Sequence, residues 1–316
     1  MSANIVKGVH YLMRKNKITE VNGHGTFCDA HTMEVTTAEG TVTISFDTCI
    51  IATGSHVAQL PNVEMGGPVV SYEEQILNPQ LPHSIVIVGA IGMEFAYVLA
   101  NYGVQVTIVE YQDRVLPNED KDVSTEIAKQ YRKLGITLRT GYKTTAVERT
   151  GSDPDSGVAV TIAPVTAADV EPETIYAERC LISTGFRPNV EGYGLENTGV
   201  ELTQRGAIAV DDVMRTSVSH IFAIGDVTAK LQLAHVAEAQ GVVAVETIAG
   251  VETVSLGDYR MMPRATFCNP QVASFGLTEE QARAAAAENP ELDVRCLHSP
   301  SARMAKRKAW GKRRAS

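Results

Sequence analysis

No window of this 316-residue sequence approaches the ~18 consecutive apolar residues that a membrane-spanning helix needs. The start, Met1-Ser2-Ala3-Asn4-Ile5-Val6-Lys7-Gly8, lacks the basic-then-apolar layout of a secretory leader. Close cysteine pairs are missing as well. The five cysteines stand at 28, 49, 180, 268 and 296, form no Cys-x-x-Cys, and are odd in number. That excludes a disulfide scaffold and predicts scattered reduced thiols in a cytoplasmic protein. Nothing repeats at a solenoid period. With 44% hydrophobic and 21% charged residues, the composition also excludes a disordered or collagen-like chain and leaves room for about two globular domains.

Positive charge is scarce except at one end. The net charge is -9, yet seven bases and no acid lie between Arg303 and Ser316, which leaves 21 bases against 37 acids elsewhere. An acidic body repels nucleic acid and anionic membrane, so neither is expected as a partner.

What the chain does contain is α/β patterning. Three β-branched runs, Gly25–Cys28, Thr32–Thr37 and Thr41–Phe46, are separated by turn residues and predict short strands. Thr48-Cys49-Ile50-Ile51-Ala52-Thr53-Gly54 predicts a strand buried on both faces. Beyond the Pro-bearing Asn78–Pro82 comes a βαβ pattern: a strand over 84–88, a helix over 93–102 and a strand over 105–110. A helix over 120–134 and strands near 137–140, 144–149, 157–162 and 179–184 follow. After Pro188, strands are predicted over 206–210 and 220–226, then an Ala-rich helix over 236–249. Further on lie short strands at 265–268 and 271–276, and a helix over 278–286 opened by the capping-box pattern Thr278-Glu279-Glu280-Gln281.

The sharpest chemical signal is Ile87-Val88-Gly89-Ala90-Ile91-Gly92-Met93-Glu94, with Glu110 ending the next strand. A dinucleotide site sets pyrophosphate over a helix N-terminus and places an acid about 20 residues on, at the adenine ribose. An acid there disfavours a 2′-phosphate, so Glu110 points to NAD over NADP. A βαβ unit that binds nothing, with Glu110 a solvated strand end, has the same pattern. The fingerprint Gly-x-Gly-x-x-Gly is also incomplete. Counted from the helix, Gly89 is its second glycine and Gly92 its third, and the first position falls on Ile87. Displacing a helix by two residues rotates its core face away, whereas a strand displaced by two keeps its faces. Ile87-Val88 are therefore expected to be drawn into the turn.

A second signal is His220-Ile221-Phe222-Ala223-Ile224-Gly225-Asp226, followed by Leu233-Ala234-His235. A strand ending in Gly-Asp sets a carboxylate at a sheet edge to meet ligand hydroxyls. Asp226 as a helix N-cap and His235 as a core histidine are equally compatible.

These signals, with Ala52-Thr53-Gly54 and Ser183-Thr184-Gly185-Phe186-Arg187-Pro188-Asn189, resemble in order and spacing the flavoprotein disulfide reductases. Val6–Met13, Ser71–Leu77 and Pro270–Gly276 make the dihydrolipoyl dehydrogenase branch the most similar, and the likeness runs from residue 5 to about 295. The resemblance implies two Rossmann-like domains, the NAD domain inserted in an incomplete FAD domain. Its segments would be 1–82 (partial FAD domain), 83–189 (NAD domain), 190–258 (return to the FAD domain), 259–294 (remnant of an α+β interface domain) and 295–316 (a basic, disordered tail, better explained as an unrelated end than as a nucleic-acid arm). For FAD it implies Gly54, Asp226 at the ribityl–phosphate region and Ala234 against the flavin. For NAD it implies Gly89, Ala90, Ile91, Gly92 and Met93, with Glu110 on the ribose, Val147 near the adenine and Gly185 near the nicotinamide. Glu94 matches a carboxylate that pairs in the family with a lysine beside the flavin.

The implied activity is NAD-dependent oxidation of protein-bound dihydrolipoamide through FAD. The implied partners are lipoyl domains of 2-oxoacid dehydrogenase complexes and a second identical subunit. The sequence lacks the family's Cys-x-x-x-x-Cys pair, its His–Glu base, the lysine partner of Glu94 and the first βαβ unit, so no catalytic residue and no metal ligand is assigned and this chain alone is expected to be inactive. A non-enzymatic NAD-binding fragment or incomplete reading frame, and a mercuric or mycothione reductase, are the alternatives.

Overall fold

Alternation along three strands organises the five-stranded sheet. Ile85 and Ile87 point to one face and Val86 and Val88 to the other, as do Val106 and Ile108 against Val109, and Leu181 against Cys180 and Ile182. A run apolar at every position is what a sheet covered on both faces requires. In the computed structural model, which describes residues 2–153, 156–166, 170–289, 291–297 and 309–312, five strands pair in parallel. Their order is Val69–Val70, Arg179–Ile182, Ser84–Val88, Gln105–Glu110 and Thr137–Thr140. Helices Met93–Asn101 and Lys121–Lys133 cover one face through Met93, Ala96, Leu99, Ile127 and Tyr131. A three-stranded antiparallel sheet of Tyr142–Arg149, Val158–Pro164 and Glu173–Ala177 covers the other.

The chain divides into two compact units, Met1–His56 with Arg187–Gly257, and Val57–Phe186 with Asp258–Ser316. Residues 57–82, which the sequence grouped with the first segment, pack in the second unit. Val69–Val70 pairs with Arg179–Ile182 there, and Val57, Leu60, Val63 and Met65 join its core. Within the same unit the hairpin Arg264–Thr266/Val272–Ser274 sends Cys268 and Val272 into the helical-face core.

The first unit holds the antiparallel meander Gly23–Phe27, Thr32–Thr37, Gly40–Ser45 and a parallel pair, Cys49–Ile51 with Ile221–Ala223. Phe27, Ile51, Tyr193, Leu195, Ile208 and Ile221 pack as its core.

Several elements differ from expectation. Gly206–Val210 is not a strand: only Leu202 and Ile208 form a bridge, and the Asp211 carboxylate turns the chain by accepting the Val213 and Arg215 N–H groups. Thr48–Gly54 shortens to Cys49–Ile51, and the 220–226 run to Ile221–Ala223 followed by a 3-10 turn at Gly225–Thr228. Ser2–Lys15 forms a helix that the pattern did not reveal, with Ile5, Val6, Val9 and Leu12 exposed. The expected unstructured segment from 295 meets a strand pair, Asp293–Cys296 with Ala309–Lys312; its remaining stretches, 298–308 and 313–316, lie outside the described residues. No helix among the described residues is long and apolar enough to cross a membrane.

Candidate functional site

The parallel sheet runs outward from Ser84–Val88 to Gln105–Glu110 and Thr137–Thr140, then returns to Arg179–Ile182 on the other side of its first strand. Strand order therefore reverses between Ser84–Val88 and Arg179–Ile182. A crevice opens outside the carboxyl ends of such a pair, where ligands of open α/β sheets bind.

The glycine turn occupies that crevice. Ile87 and Val88 are not drawn into it. Both stay in the strand, paired to Ile108 and Val109 on one side and to Leu181 and Ile182 on the other. Moving them out would expose buried side chains and break ladder hydrogen bonds on two edges, so the shortening is absorbed instead by a tight 3-10 turn at Ala90–Gly92. Gly89 has φ 99°, and a Cβ there would collide with the Ser183 carbonyl. A Cβ on Gly92 would collide with the Ile87 side chain, which is the close helix–strand packing expected of the third glycine. Ser183 Oγ completes the brace, 2.8 Å from the Val88 carbonyl oxygen and 3.0 Å from that of Gly89.

Glu110 sits beside this turn with only 6% of its surface exposed. Its Oε2 accepts the Ala90 N–H at 2.7 Å and its Oε1 the Gln112 N–H at 2.8 Å. Two amide donors offset the cost of burying a carboxylate and set its direction. Ala90 is partly buried and Ile91 is 56% exposed. Met93 is wholly buried, so its side chain belongs to the core; its carbonyl accepts the Tyr131 hydroxyl at 2.7 Å. Val147 is likewise a core residue, packed with Val109 and Val160 on the opposite face of the sheet.

A cavity of about 160 Å³ lies in the crevice, lined by Val57, Tyr72, Ile91, Phe95, Ile182 and Phe186, with Gly92, Ser183, Gly185 and Glu94. Gly185 has φ 117° and open space where a Cβ would stand, and its carbonyl accepts the Ala58 N–H. Tyr72 and Phe186 meet edge to face at 5.7 Å. Tyr72 entered the sequence analysis only within the Ser71–Leu77 run and not as a site residue; its helix Tyr72–Leu77 opens on a capping box of Ser71 and Glu74. Glu94 Oε1 accepts the Phe267 N–H at 2.7 Å.

In the first unit Gly54 (φ 71°) and Asp226 are brought together through Ser55, whose Oγ donates to Asp226 Oδ2 at 2.8 Å. Asn189 clamps the same loop: its N–H donates to the Gly54 carbonyl, its Nδ2 to the Thr53 carbonyl at 2.8 Å, and its Oδ1 lies 2.6 Å from His56 Nδ1. Buried Gln240 accepts the Gly225 N–H at 2.6 Å and steadies the turn that carries Asp226. Asp226 is not an N-cap of the helix Ala234–Ile248, whose first residue is the exposed Ala234. Ala237, one turn on, faces Gly225. Ser55 and Gln240 carry no sequence signature of their own; Asn189 stands in the Arg187-Pro188-Asn189 run.

All five cysteines are free, and no group of three or more His, Cys, Asp or Glu among the described residues is placed to hold a metal ion. Burial pushes the Cys49 thiol up to about 11 and that of Cys180 to about 12.

Residues 2–241 match the profile of the family described as pyridine nucleotide-disulphide oxidoreductase. The chain is 62% identical over 286 residues to a dihydrolipoyl dehydrogenase of Corynebacterium glutamicum and 59% identical over 281 residues to one of Mycobacterium tuberculosis. These alignments cover 90% and 88% of this chain, but 60% and 59% of those proteins. The chain thus spans about 60% of the length of the curated relatives it matches. Among solved structures, LpdA of Mycobacterium tuberculosis superimposes with a TM-score of 0.82 at 28% identity, over 93% of this chain and 63% of that one. The HOCl-induced flavoprotein disulfide reductase RclA of Escherichia coli gives 0.78 at 26% identity, over 93% and 66%.

Proposed function

Because this chain belongs to the pyridine nucleotide-disulphide oxidoreductase family, we propose that its second unit binds NAD, as part of a protein that oxidises dihydrolipoamide. The observation that carries the reading is the switch-point crevice, where the braced Gly89–Gly92 turn, the amide-held Glu110 and the cavity beside Gly185 converge. The residues fit the nucleotide. Glu110 presents a fixed acceptor to a ribose diol, the short turn brings backbone close to a diphosphate, and Gly185 leaves space without a Cβ. When bound, the nicotinamide supplies the hydride-carrying ring. The protein's part is to orient it: Ile91, Phe95 and Phe186 exclude water around the ring, while Glu110 sets the far end.

FAD fits less completely. Gly54, Ser55-Asp226 and Ala234 supply acceptors and an open backbone along one side, but the parallel pair in this unit has only two strands and no glycine-rich turn. Dihydrolipoamide chemistry also needs a dithiol and a base. Half-buried Cys49 and buried Cys180 are thiols held above the usual range for ionisation, and neither supplies a reactive thiolate near neutral pH. Lipoyl domains and a second subunit are the partners that follow from the dihydrolipoyl dehydrogenase relatives, and the free thiols support a cytoplasmic setting.

Titration calorimetry of the full chain with NAD and NADP tests the reading. NAD is expected to bind and NADP to bind at least tenfold more weakly, because its 2′-phosphate meets Glu110. Equal affinities, or none for NAD, would overturn it. The visible spectrum of the purified chain is expected to show no flavin band.

A further inference from the structure

The strand Gly23–Phe27 lies at the edge of the antiparallel meander in the first unit, paired to Thr32–Thr37 alone. Its far end fixes which N–H groups face the partner strand. The Cys28 N–H donates to the Thr32 carbonyl at 2.9 Å, while the Phe27 N–H turns away to the Tyr193 carbonyl at 2.8 Å. Successive N–H groups of a strand alternate in direction, so that of Gly23, four residues before Phe27, also points away from Thr32–Thr37. No acceptor meets it there among the described residues. The fold itself requires glycine at this place, because a Cβ on Gly23 would collide with the Thr36 carbonyl. Before it stands Asn22, exposed and with no side-chain hydrogen bond among the described residues. Asn22-Gly23 is the one Asn-Gly step in the sequence. Every other asparagine precedes either proline, which has no N–H, or a residue whose Cβ crowds the backbone nitrogen.

We propose that Asn22 is a self-modification site, at which the folded chain converts this side-chain amide to a carboxylate through a cyclic imide with Gly23. The Gly23 nitrogen gives up its proton to hydroxide and attacks Asn22 Cγ. The N–Cγ bond forms, the bond from Cγ to the amide nitrogen breaks, and ammonia leaves with a proton taken from water. Water then opens the succinimide. Cleavage at Cγ gives aspartate, and cleavage at the backbone carbonyl carbon gives isoaspartate, whose main chain runs through Cγ. The sum exchanges an amide and a water for a carboxylate and an ammonium ion, with nothing oxidised or reduced. The edge position means that no ladder hydrogen bond has to break before the attack. Residues 18–22 belong to no helix or strand, which leaves Asn22 free to turn its side chain onto the next nitrogen. Phe27, packed in the core of the unit, holds the strand in register, so the added backbone atom is taken up in 18–22 and the modified chain stays folded. It carries one more negative charge.

The test is a time course on the full chain, folded and in urea, in mildly alkaline buffer made with heavy-oxygen water. Digestion after glutamates and mass mapping read it, because residues 21–34 and 40–64 then fall on separate peptides with one asparagine each, Asn22 and the exposed Asn62. In the folded chain, residues 21–34 are expected to gain a carboxylate carrying one solvent oxygen, in two forms that separate as aspartate and isoaspartate. The gain is expected to be at least about tenfold faster than in residues 40–64, where valine follows the asparagine. The folded rate is expected to lie within about tenfold of the rate in urea, since the strand edge leaves the nitrogen unprotected. Asn22→Gln, which has to close a larger ring, is expected to lose at least about tenfold of the product with unchanged thermal unfolding. A folded chain that keeps Asn22 while the unfolded chain loses it would show the Gly23 nitrogen to be protected and would overturn the proposal. Aspartate without isoaspartate, or an equal change in residues 40–64, would overturn it as well.

Discussion

Glu110 Oε2 accepts the Ala90 backbone N–H at 2.7 Å, so the acid that ends one strand holds the turn that ends its neighbour. One residue thereby has its own direction fixed and fixes the turn's first amide, the two groups that the proposed NAD site would use. Glu110→Ala removes a charge-assisted hydrogen bond to the ligand together with that brace. It is expected to weaken NAD by about 1–3 kcal/mol in a titration, with the loss in affinity exceeding the loss in stability. Unchanged affinity in a folded variant would mean that the carboxylate serves only the turn.

Gly92 is a packing position. A Cβ there runs into Ile87, which is paired on both edges of its strand, and stands 2.8 Å from Ser183 Oγ, which is held by the Val88 and Gly89 carbonyls. Gly92→Ala is expected to cost about 1–3 kcal/mol, measured by chemical denaturation, because neither neighbour has room to retreat.

Tyr131 ties the second covering helix to the start of the first through its hydroxyl on the Met93 carbonyl. Its own ionisation is pushed far upward, by burial first and by the neighbouring Cys268 next. Tyr131→Phe removes this buried hydrogen bond and is expected to lose about 1–2 kcal/mol of stability, with NAD affinity falling less than twofold. A larger loss of affinity than of stability would mean that this bond tunes the glycine turn directly.

Ser55 and Asn189 act on one loop of the first unit, the former on Asp226 and the latter on Thr53, Gly54 and His56. Ser55→Ala and Asn189→Ala are each expected to cost about 1 kcal/mol, and their double variant less than the sum, since both order the same four residues. Additive losses in a double-mutant cycle would show that the loop has no shared order.

The thiols give a pH dependence. Unfolded cysteines ionise near 9, whereas burial holds Cys49 at about 11 and Cys180 at about 12. Above pH 9 the unfolded chain loses thiol protons that the folded chain keeps, so stability is expected to fall as pH rises from 9 to 12. Cys180→Ala should flatten part of that slope. At pH 8 iodoacetamide is expected to label exposed Cys28 well before Cys49 or Cys180, as peptide mass mapping would register.

Strands whose side chains face two cores were legible from the sequence almost to the residue. Ser84–Val88 and Gln105–Glu110 follow from runs rich in β-branched residues, because Ile85 to Val88 and Val106, Ile108 and Val109 are buried on one face or the other. The Thr278 capping box was equally local. So were Gly89, Gly92 and Glu110 as site candidates, since their spacing along one βαβ unit sets their distance in space. Tertiary structure decided the rest. It kept Ile87 and Val88 in the strand because partners on both edges hold them, and shortened the turn to 3-10 instead. It put the side chains of Met93 and Val147 in the core, brought Ser55 to Asp226 across 171 residues, and set Glu94 in an apolar cavity facing the Phe267 amide. Periodicity records which face of its own element a residue occupies. The group it meets there is supplied by distant chain, and no local pattern carries that information.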